Sequence, residues 1–259
     1  MTVEVGWPLA IALVVLVAWG AGVASLGKLG TARDLVWASV RAVVQLAAIS
    51  LVLTAALQHL GYALLFAAFM FGVAVRTTAK RTGLLAQRGP GTPPWVWSAL
   101  AMLAGLAPVV LALFGTGTVP LEPVSIIAVF GIIIGNMMTA HTLYGRRVFA
   151  ALREGIGSYE AMLALGFSRG PAVREVIQPQ LAEALVPSLD QTRTVGLVTL
   201  PGAFIGVLLG GGSPLQAGAA QVMVLVGVLA GQATTVLAAS WFTSQGKLLP
   251  ADLRARLRP

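Results

Sequence analysis

The sequence predicts an all-α integral membrane protein with about seven transmembrane helices. Its composition, its apolar stretches and the placement of its basic residues support that class. Hydrophobic residues make up 57% of the 259 residues and charged residues only 10%, whereas a soluble domain carries about 25% charged residues. The 30 glycines and 14 prolines are typical of multi-pass helices. We therefore expect one membrane domain covering residues 1–259.

The apolar stretches define the predicted helices, because a helix needs about 20 mostly apolar residues to cross a bilayer. The N-terminus carries Glu4 and no basic segment, so no cleaved signal is evident and the first stretch is expected to be retained. The third stretch is short and is expected to extend into its flanks. A re-entrant segment near residues 210–218 is the main alternative to a complete crossing there. The predicted spans are residues 7–26, 36–57, 62–75, 95–114, 123–143, 195–209 and 216–242.

Basic residues are predicted to lie on one side of the membrane. Cytoplasmic loops of membrane proteins carry an excess of Lys and Arg. An external N-terminus places all 17 Lys and Arg in internal segments, except Arg41, which lies just inside the second span. The external segments then hold two acids, Glu4 and Glu122. We expect an N-out, C-in protein of the inner (cytoplasmic) membrane. The internal segments are residues 27–40, 76–94, 144–194 and 243–259.

The net charge of +8 is therefore interpreted as a topology signal. Aromatic residues do not interleave with the basic residues as they do on RNA-binding surfaces. We expect the lipid bilayer, and no nucleic acid, as the partner of this charge.

The internal segment 144–194 contains a charged amphipathic stretch that is predicted to form two short helices. Gly166 and Ser168 can end the first helix and turn the chain, and Arg169 begins the second, where a following proline is tolerated. An ordinary amphipathic helix–turn–helix in a loop is the alternative interpretation.

The spacing of Glu160, Ala161 and Gly166 in this stretch resembles the cytoplasmic EAA loop of ABC-transporter membrane subunits. The sequence departs from that consensus at Met162, Val176 and Gln178. The resemblance implies a short helix that docks into a groove on a separate ATPase subunit, a mode in which small residues permit close approach. The residues expected to couple to that subunit are Glu160, Ala161, Gly166, Ser168 and Arg169.

Two polar residues stand in the second predicted span. Arg41 and Gln45 are separated by four positions and so share one face of a helix. A charge inside a membrane is costly and normally faces protein or water, which favours a polar element beside a substrate pathway. Snorkelling of Arg41 to the nearby interface is the alternative.

The fifth span carries the polar and soft donor side chains Asn136, Met137, Met138 and His141. Met138 and His141 are three positions apart, so thioether and imidazole donors share a face and could contact a metal in transit. The alternative is that the methionines fill gaps and that His141 lies at the membrane interface.

Pro201 and Gly202 fall inside the sixth span, and together they interrupt the helical hydrogen bonds. Free carbonyls at membrane depth are tolerated only inside protein or beside water, and transporters use such breaks at binding sites and gates. A passive kink is the alternative. Gln221 adds a polar side chain to the last span.

The sequence contains no pattern for catalysis or for nucleotide binding. It has no Walker motif, no cysteine and only two histidines, so we expect no bound cofactor, no ATP on this chain and no enzymatic activity. A metal cage within one chain is not expected.

Several blocks resemble the FetB/YbbM family of ABC permeases, which includes plant aluminium-tolerance relatives. The blocks are residues 41–46 (RAVVQL), 131–138 (GIIIGNMM), 163–168 (LALGFS) and 187–202 (PSLDQTRTVGLVTLPG). The resemblance implies a homodimeric permease bound to two copies of an ATP-binding subunit, which hydrolyses the ATP. Bacterial relatives are linked to iron export and plant relatives to aluminium tolerance. A non-ABC secondary carrier or channel is the competing expectation.

Overall fold

The computed structural model describes residues 6–85 and 91–257, and these residues are almost entirely helical. Within them the structure forms no β-strand, only an isolated bridge between Val195 and Thr199. Three charged residues of the topology prediction, Glu4, Arg88 and Arg258, lie outside the described residues. The helices are α1 Trp7–Leu26, α2 Ala32–Ala56, α3 Leu60–Arg81, α4 Pro94–Gly115, α5 Pro123–Glu154, α6 Ile156–Ala164, α7 Arg169–Ile177, α8 Val186–Thr194, α9 Gly202–Leu209, α10 Pro214–Ser244 and α11 Ala251–Arg256.

Six of the described helices are long and apolar enough to cross a membrane: α1, α2, α3, α4, α5 and α10. The predicted all-α membrane fold is confirmed. The short third prediction does extend into its flanks, because α3 has 22 residues. The number of crossings and their orientation stay predictions.

The predicted span 195–209 is not a continuous helix, and this part of the prediction is wrong. Only Gly202–Leu209 is helical, and eight residues at about 1.5 Å each give about 12 Å, far less than the ~30 Å of a bilayer core. Pro201 precedes the helix in an extended conformation, and Gly196 turns the chain with φ +80°. The sequence predicts the interruption at Pro201 and Gly202, but it does not predict the turn at Gly196.

The chain forms two compact units, residues 1–62 and 63–259. The first unit is a helical hairpin of α1 and α2. The Leu35 side chain packs against Gly20, where an added Cβ would lie 3.2 Å from Leu35 Cδ1. Gly20 therefore lets the two helices approach closely near their connecting turn.

The second unit is organised around α10, which packs against α4, α5 and α9. α5 and α10 run in the same direction, since Gln232 Nε2 donates to the Asn136 carbonyl at 3.1 Å and, further along both helices, Tyr144 Oη donates to Thr243 Oγ1 at 2.8 Å. Parallel neighbours require the intervening chain to return along the bundle. The segment that contains α6 to α9 makes this return.

The basic residues of the second unit gather at one end of the bundle, where α3, α5 and α10 terminate. α3 pairs with α5 in parallel, because Thr78 contacts His141 and Thr82 lies against Gly145. The basic residues near these three helix ends are Arg76, Lys80, Arg81, Arg146, Arg147, Arg153, Lys247, Arg254 and Arg256. Their common placement supports the expectation that this end is cytoplasmic.

The C-terminal segment is part of the core at this end. The sequence predicts only an internal tail, residues 243–259, yet Leu248, Leu249, Leu253 and Leu257 are completely buried. They pack with residues of α5 and α7 in one apolar cluster. The tail therefore joins the membrane helices to the α6–α7 region.

Candidate functional site

The α6–α7 hairpin has the turn that the sequence predicts at Gly166. α6 ends at Ala164, and Gly166 has φ +91°, a conformation that favours glycine. The Gly166 amide donates to the Leu163 carbonyl at 2.9 Å, and the Phe167 amide donates to the Met162 carbonyl at 3.0 Å. This pair of hydrogen bonds is a Schellman cap. This cap fixes the direction in which the chain leaves α6.

The turn carries an exposed apolar surface. Leu165 is 78% exposed and Phe167 is 52% exposed, although the residue at the Phe167 position of such a cap usually packs back onto its helix. On α6 itself Glu160 and Ala161 are exposed, while Tyr159 is buried in the core. We call Glu160, Ala161, Leu165 and Phe167 the docking tip.

Leu165 and Phe167 are not among the coupling residues predicted from the sequence, because the EAA-type motif is defined by its acidic residue and its glycine. Their exposure is not visible in the sequence, since both are ordinary apolar residues of an amphipathic stretch. Two large apolar side chains just beyond a helix end were the available signal.

Ser168 and Arg169 lie directly behind the docking tip. Ser168 precedes α7 in an extended conformation, and its side chain makes no capping hydrogen bond. The Arg169 guanidinium turns away from the tip and lies against Gly246 at the end of α10. Of the residues predicted to couple to an ATPase, all are exposed except Arg169, which lies against the end of α10.

An ion pair fastens α11 to the end of α5. Arg153 Nε donates to Asp252 Oδ2 at 2.7 Å. This hydrogen bond lowers the pKa of Asp252, and the positive charge of Arg153 acts in the same direction. The pair holds the C-terminal segment beside the α6–α7 hairpin.

The donor side chains predicted on α5 do not converge on one point. Met137 is buried and packs against Gly231 of α10, whereas His141 Nδ1 lies 3.0 Å from Thr78 Oγ1 of α3. Asn136 Nδ2 donates to a carbonyl of its own helix at 2.8 Å, and Met138 is only partly buried. In the described part of the chain, no three His, Asp or Glu side chains are close enough to hold a metal ion.

His141 is completely buried inside the bundle, and its depth in the membrane stays a prediction. Its position follows from the packing of α3 against α5, which brings Thr78 to it. Sequence spacing within α5 gives no information about α3, and so it could not supply this contact.

A set of buried polar atoms lies inside the bundle without a hydrogen-bond partner among the described residues. Three helices contribute them. The atoms are Ser98 Oγ, His141 Nε2, Gln232 Oε1 and Thr235 Oγ1. Buried polar groups are normally paired, and polar side chains inside a membrane domain face a pathway or one another. We call these residues the interior polar set.

The break at Pro201 and Gly202 is held against α10. The Phe204 amide, in the first turn of α9, donates to Gln221 Oε1 at 3.3 Å, and Gln221 is buried. Gln221 thus satisfies an amide that the short helix leaves free. The apolar, non-helical segment before α9 is exposed, and the Leu197 side chain is 90% exposed. α9 itself begins beside α10.

Arg41 and Gln45 belong to the first unit. Both side chains are exposed on α2, and their spacing places them on one face of that helix, as the sequence predicts. Their role beside a pathway stays a prediction.

Comparisons with known proteins agree with the membrane fold. A family model described as "Uncharacterised protein family (UPF0014)" matches residues 7–247. The chain is 32% identical over 220 residues to the UPF0014 membrane protein STAR2 of Oryza sativa subsp. japonica, covering 83% of this chain and 74% of that protein. It is 30% identical over 203 residues to Protein ALUMINUM SENSITIVE 3 of Arabidopsis thaliana, covering 78% and 72% of the two chains.

A bacterial relative carries a functional name. The chain is 28% identical over 222 residues to the "Probable iron export permease protein FetB" of Escherichia coli (strain K12), covering 83% of this chain and 82% of that protein. No solved structure matches.

Proposed function

Because the chain belongs to the UPF0014 family of membrane proteins, we propose that it is the permease subunit of an ABC transporter that exports iron or a related metal ion. The observation that carries the ABC assignment is the docking tip, an exposed apolar turn at the basic end of the bundle. The name of the Escherichia coli relative supports iron as the substrate.

The docking tip has the chemistry of an anchor for a soluble protein. Binding hot spots are apolar or aromatic side chains that fill a partner's pocket and are surrounded by polar contacts. Leu165 and Phe167 provide the apolar centre, and Glu160 provides a charge at its edge. A turn of this kind fits a groove on an ATP-binding subunit. That separate subunit would hydrolyse the ATP.

The proposed cycle starts when ATP draws two such subunits together. α6 and α7 then move as a rigid lever, and α5 around Asn136 and the broken segment around Pro201 switch access from one side of the membrane to the other. The interior polar set supplies hydrogen-bonding groups at membrane depth. The first turn of the short helix α9 is hydrogen-bonded to Gln221 of α10. These elements are the proposed pathway.

The complex is proposed to contain two copies of this chain in the inner membrane, with the N-terminus outside. Two ATP-binding subunits require two docking tips, which a symmetric pair of permeases provides. The basic end of the bundle then faces the cytoplasm, where the ATP-binding subunits reside.

A non-ABC carrier or channel is the second candidate, and the interior polar set is the observation that favours it. Unpaired polar groups inside a bundle also suit transport driven by an ion gradient. The two functions differ in their source of energy and in their need for a second protein.

Co-purification tests the proposal. The chain is co-expressed with ATP-binding subunits and isolated from membranes, and we expect an ATPase in a two-to-two complex. The double variant Glu160→Lys/Gly166→Ala should insert into the membrane but lose the ATPase, because it reverses the charge of the tip and strains its turn. Recovery of the double variant with a full complement of ATPase would refute the role of the tip.

A further inference from the structure

Arg169 makes a contact with the end of α10 that the exposed docking tip does not explain. α10 ends in a Schellman cap, in which the Gly246 amide donates to Thr243 at 2.8 Å and the Lys247 amide donates to Phe242 at 2.9 Å. A Cβ on Gly246 would come within 2.7 Å of three atoms of the Arg169 guanidinium. The φ of +73° favours glycine at this position, and the missing side chain leaves the space that the Arg169 guanidinium occupies.

The charge of Arg169 fits this seat better than it fits its own helix. Arg169 is the first residue of α7, where the helix dipole disfavours a cation, whereas the C-terminal end of α10 favours one. The backbone is close as well, since a Cβ on Gly170 would lie 3.8 Å from the Ser244 carbonyl oxygen. Shape and charge both direct the guanidinium to α10.

Two of the three Arg169 guanidinium nitrogens add no hydrogen bond to this contact. Arg169 Nε and Nη2 are buried and have no hydrogen-bond partner within the described residues. Buried donors are normally paired. Because these two are not, packing and the helix dipole of α10 hold this part of the guanidinium. Such a contact can slide or re-pair without first breaking a hydrogen bond at these two atoms.

The contact connects the docking tip with α10. Phe167 of the docking tip is two residues from Arg169 along the chain, and α10 holds Gln221, which binds the first turn of α9. We propose that Arg169 is a positioning residue that passes displacement of the docking tip to α10, with Gly246 as its seat. This inference rests on the proposed ABC function and adds a residue that acts on the membrane helices rather than on the ATPase.

The test uses the full complex with a reporter on α10. The chain has no cysteine, so a single Leu215→Cys substitution at the 84% exposed beginning of α10 can carry an environment-sensitive fluorophore. The emission change on trapping with ATP and vanadate is measured beside the ATPase rate. A purely structural role would change the yield of complex, but not the ratio of emission change to ATP hydrolysis.

Variants separate the contact from backbone strain. Arg169→Ala and Gly246→Ala should lower that ratio about tenfold, within the range by which such contacts change coupling, and Arg169→Lys should restore part of it. Gly83→Ala is the matched control, because Gly83 forms the same cap at the end of α3 with φ +76° and nothing within 4 Å of its Cβ position. It should change the ratio less than about twofold. The double variant Arg169→Ala/Gly246→Ala should be no worse than Arg169→Ala alone.

Two outcomes overturn the inference alone: a wild-type ratio in assembled Arg169→Ala complexes, or effects of the two substitutions that simply multiply. If the wild-type chain binds no ATPase at all, the proposed function fails and this inference fails with it.

Discussion

Truncation of Phe167 should weaken the binding of the ATP-binding subunit without unfolding the permease. A phenylalanine side chain presents about 200 Å², and 52% of Phe167 is exposed. About 100 Å² therefore remains to be buried by a partner, which corresponds to about 2.5 kcal/mol at ~25 cal/mol per Å². Since alanine keeps a small part of that area, Phe167→Ala should cost about 2 kcal/mol, or a Kd increase of about 30-fold.

The assay is titration of the purified ATP-binding subunit onto the permease in lipid nanodiscs, with thermal unfolding as the check on the fold. Leu121→Ala is the matched control, because Leu121 is also an exposed apolar residue of the second unit but lies in the turn between α4 and α5. We expect the control to bind as the wild type does. A Kd for Phe167→Ala within about twofold of wild type, or an equal loss in Leu121→Ala, would refute the role of the docking tip.

Three further substitutions test the packing of the second unit by thermal unfolding of the purified permease. Gly105→Ala should destabilise it by about 1–3 kcal/mol, because a Cβ there would overlap α10, whereas Gly72→Ala has open space and should be neutral or stabilising; equal effects would contradict the close approach of α4 to α10. Asp252→Asn should lower stability at neutral pH by at most about 1 kcal/mol, since its ion pair with Arg153 is about half exposed. The Asp252 pKa is lowered in the folded state, so this stabilisation is present above the ordinary carboxyl pKa of about 4 and lost as the pH falls through the folded value; a difference that persists in acid would contradict it. Leu253→Ala should cost about 2–5 kcal/mol because the side chain is completely buried, and an unchanged midpoint would show that the C-terminal segment is not part of the core.

Much of the fold could be predicted because the length of each apolar stretch and the positions of the basic residues can be read directly from neighbouring residues in the sequence. The predicted span 7–26 coincides with α1, and Gly166 ends α6 as its position suggests. The span 195–209 failed for a physical reason: hydropathy measures transfer to lipid, and it does not register the φ of Gly196 or the missing amide of Pro201.

The candidate site could be predicted only in part, because its contacts join distant segments. Arg169 was placed with the coupling residues, but its seat on Gly246 depends on the fold of α10. Phe167 and Leu253 are both apolar residues in charged segments, yet Phe167 is exposed and Leu253 is buried. Only tertiary packing decides which of the two faces a partner.

The source of energy for transport tests the central claim most directly. Inverted membrane vesicles that contain the chain and its ATP-binding subunit are given radioactive iron(II), with ATP or with an ion gradient. The proposed function predicts accumulation of iron that requires ATP, survives a protonophore and is lost when the ATP-binding subunit is omitted. Accumulation that proceeds without ATP and collapses with the protonophore would contradict the ABC assignment and establish a gradient-driven carrier.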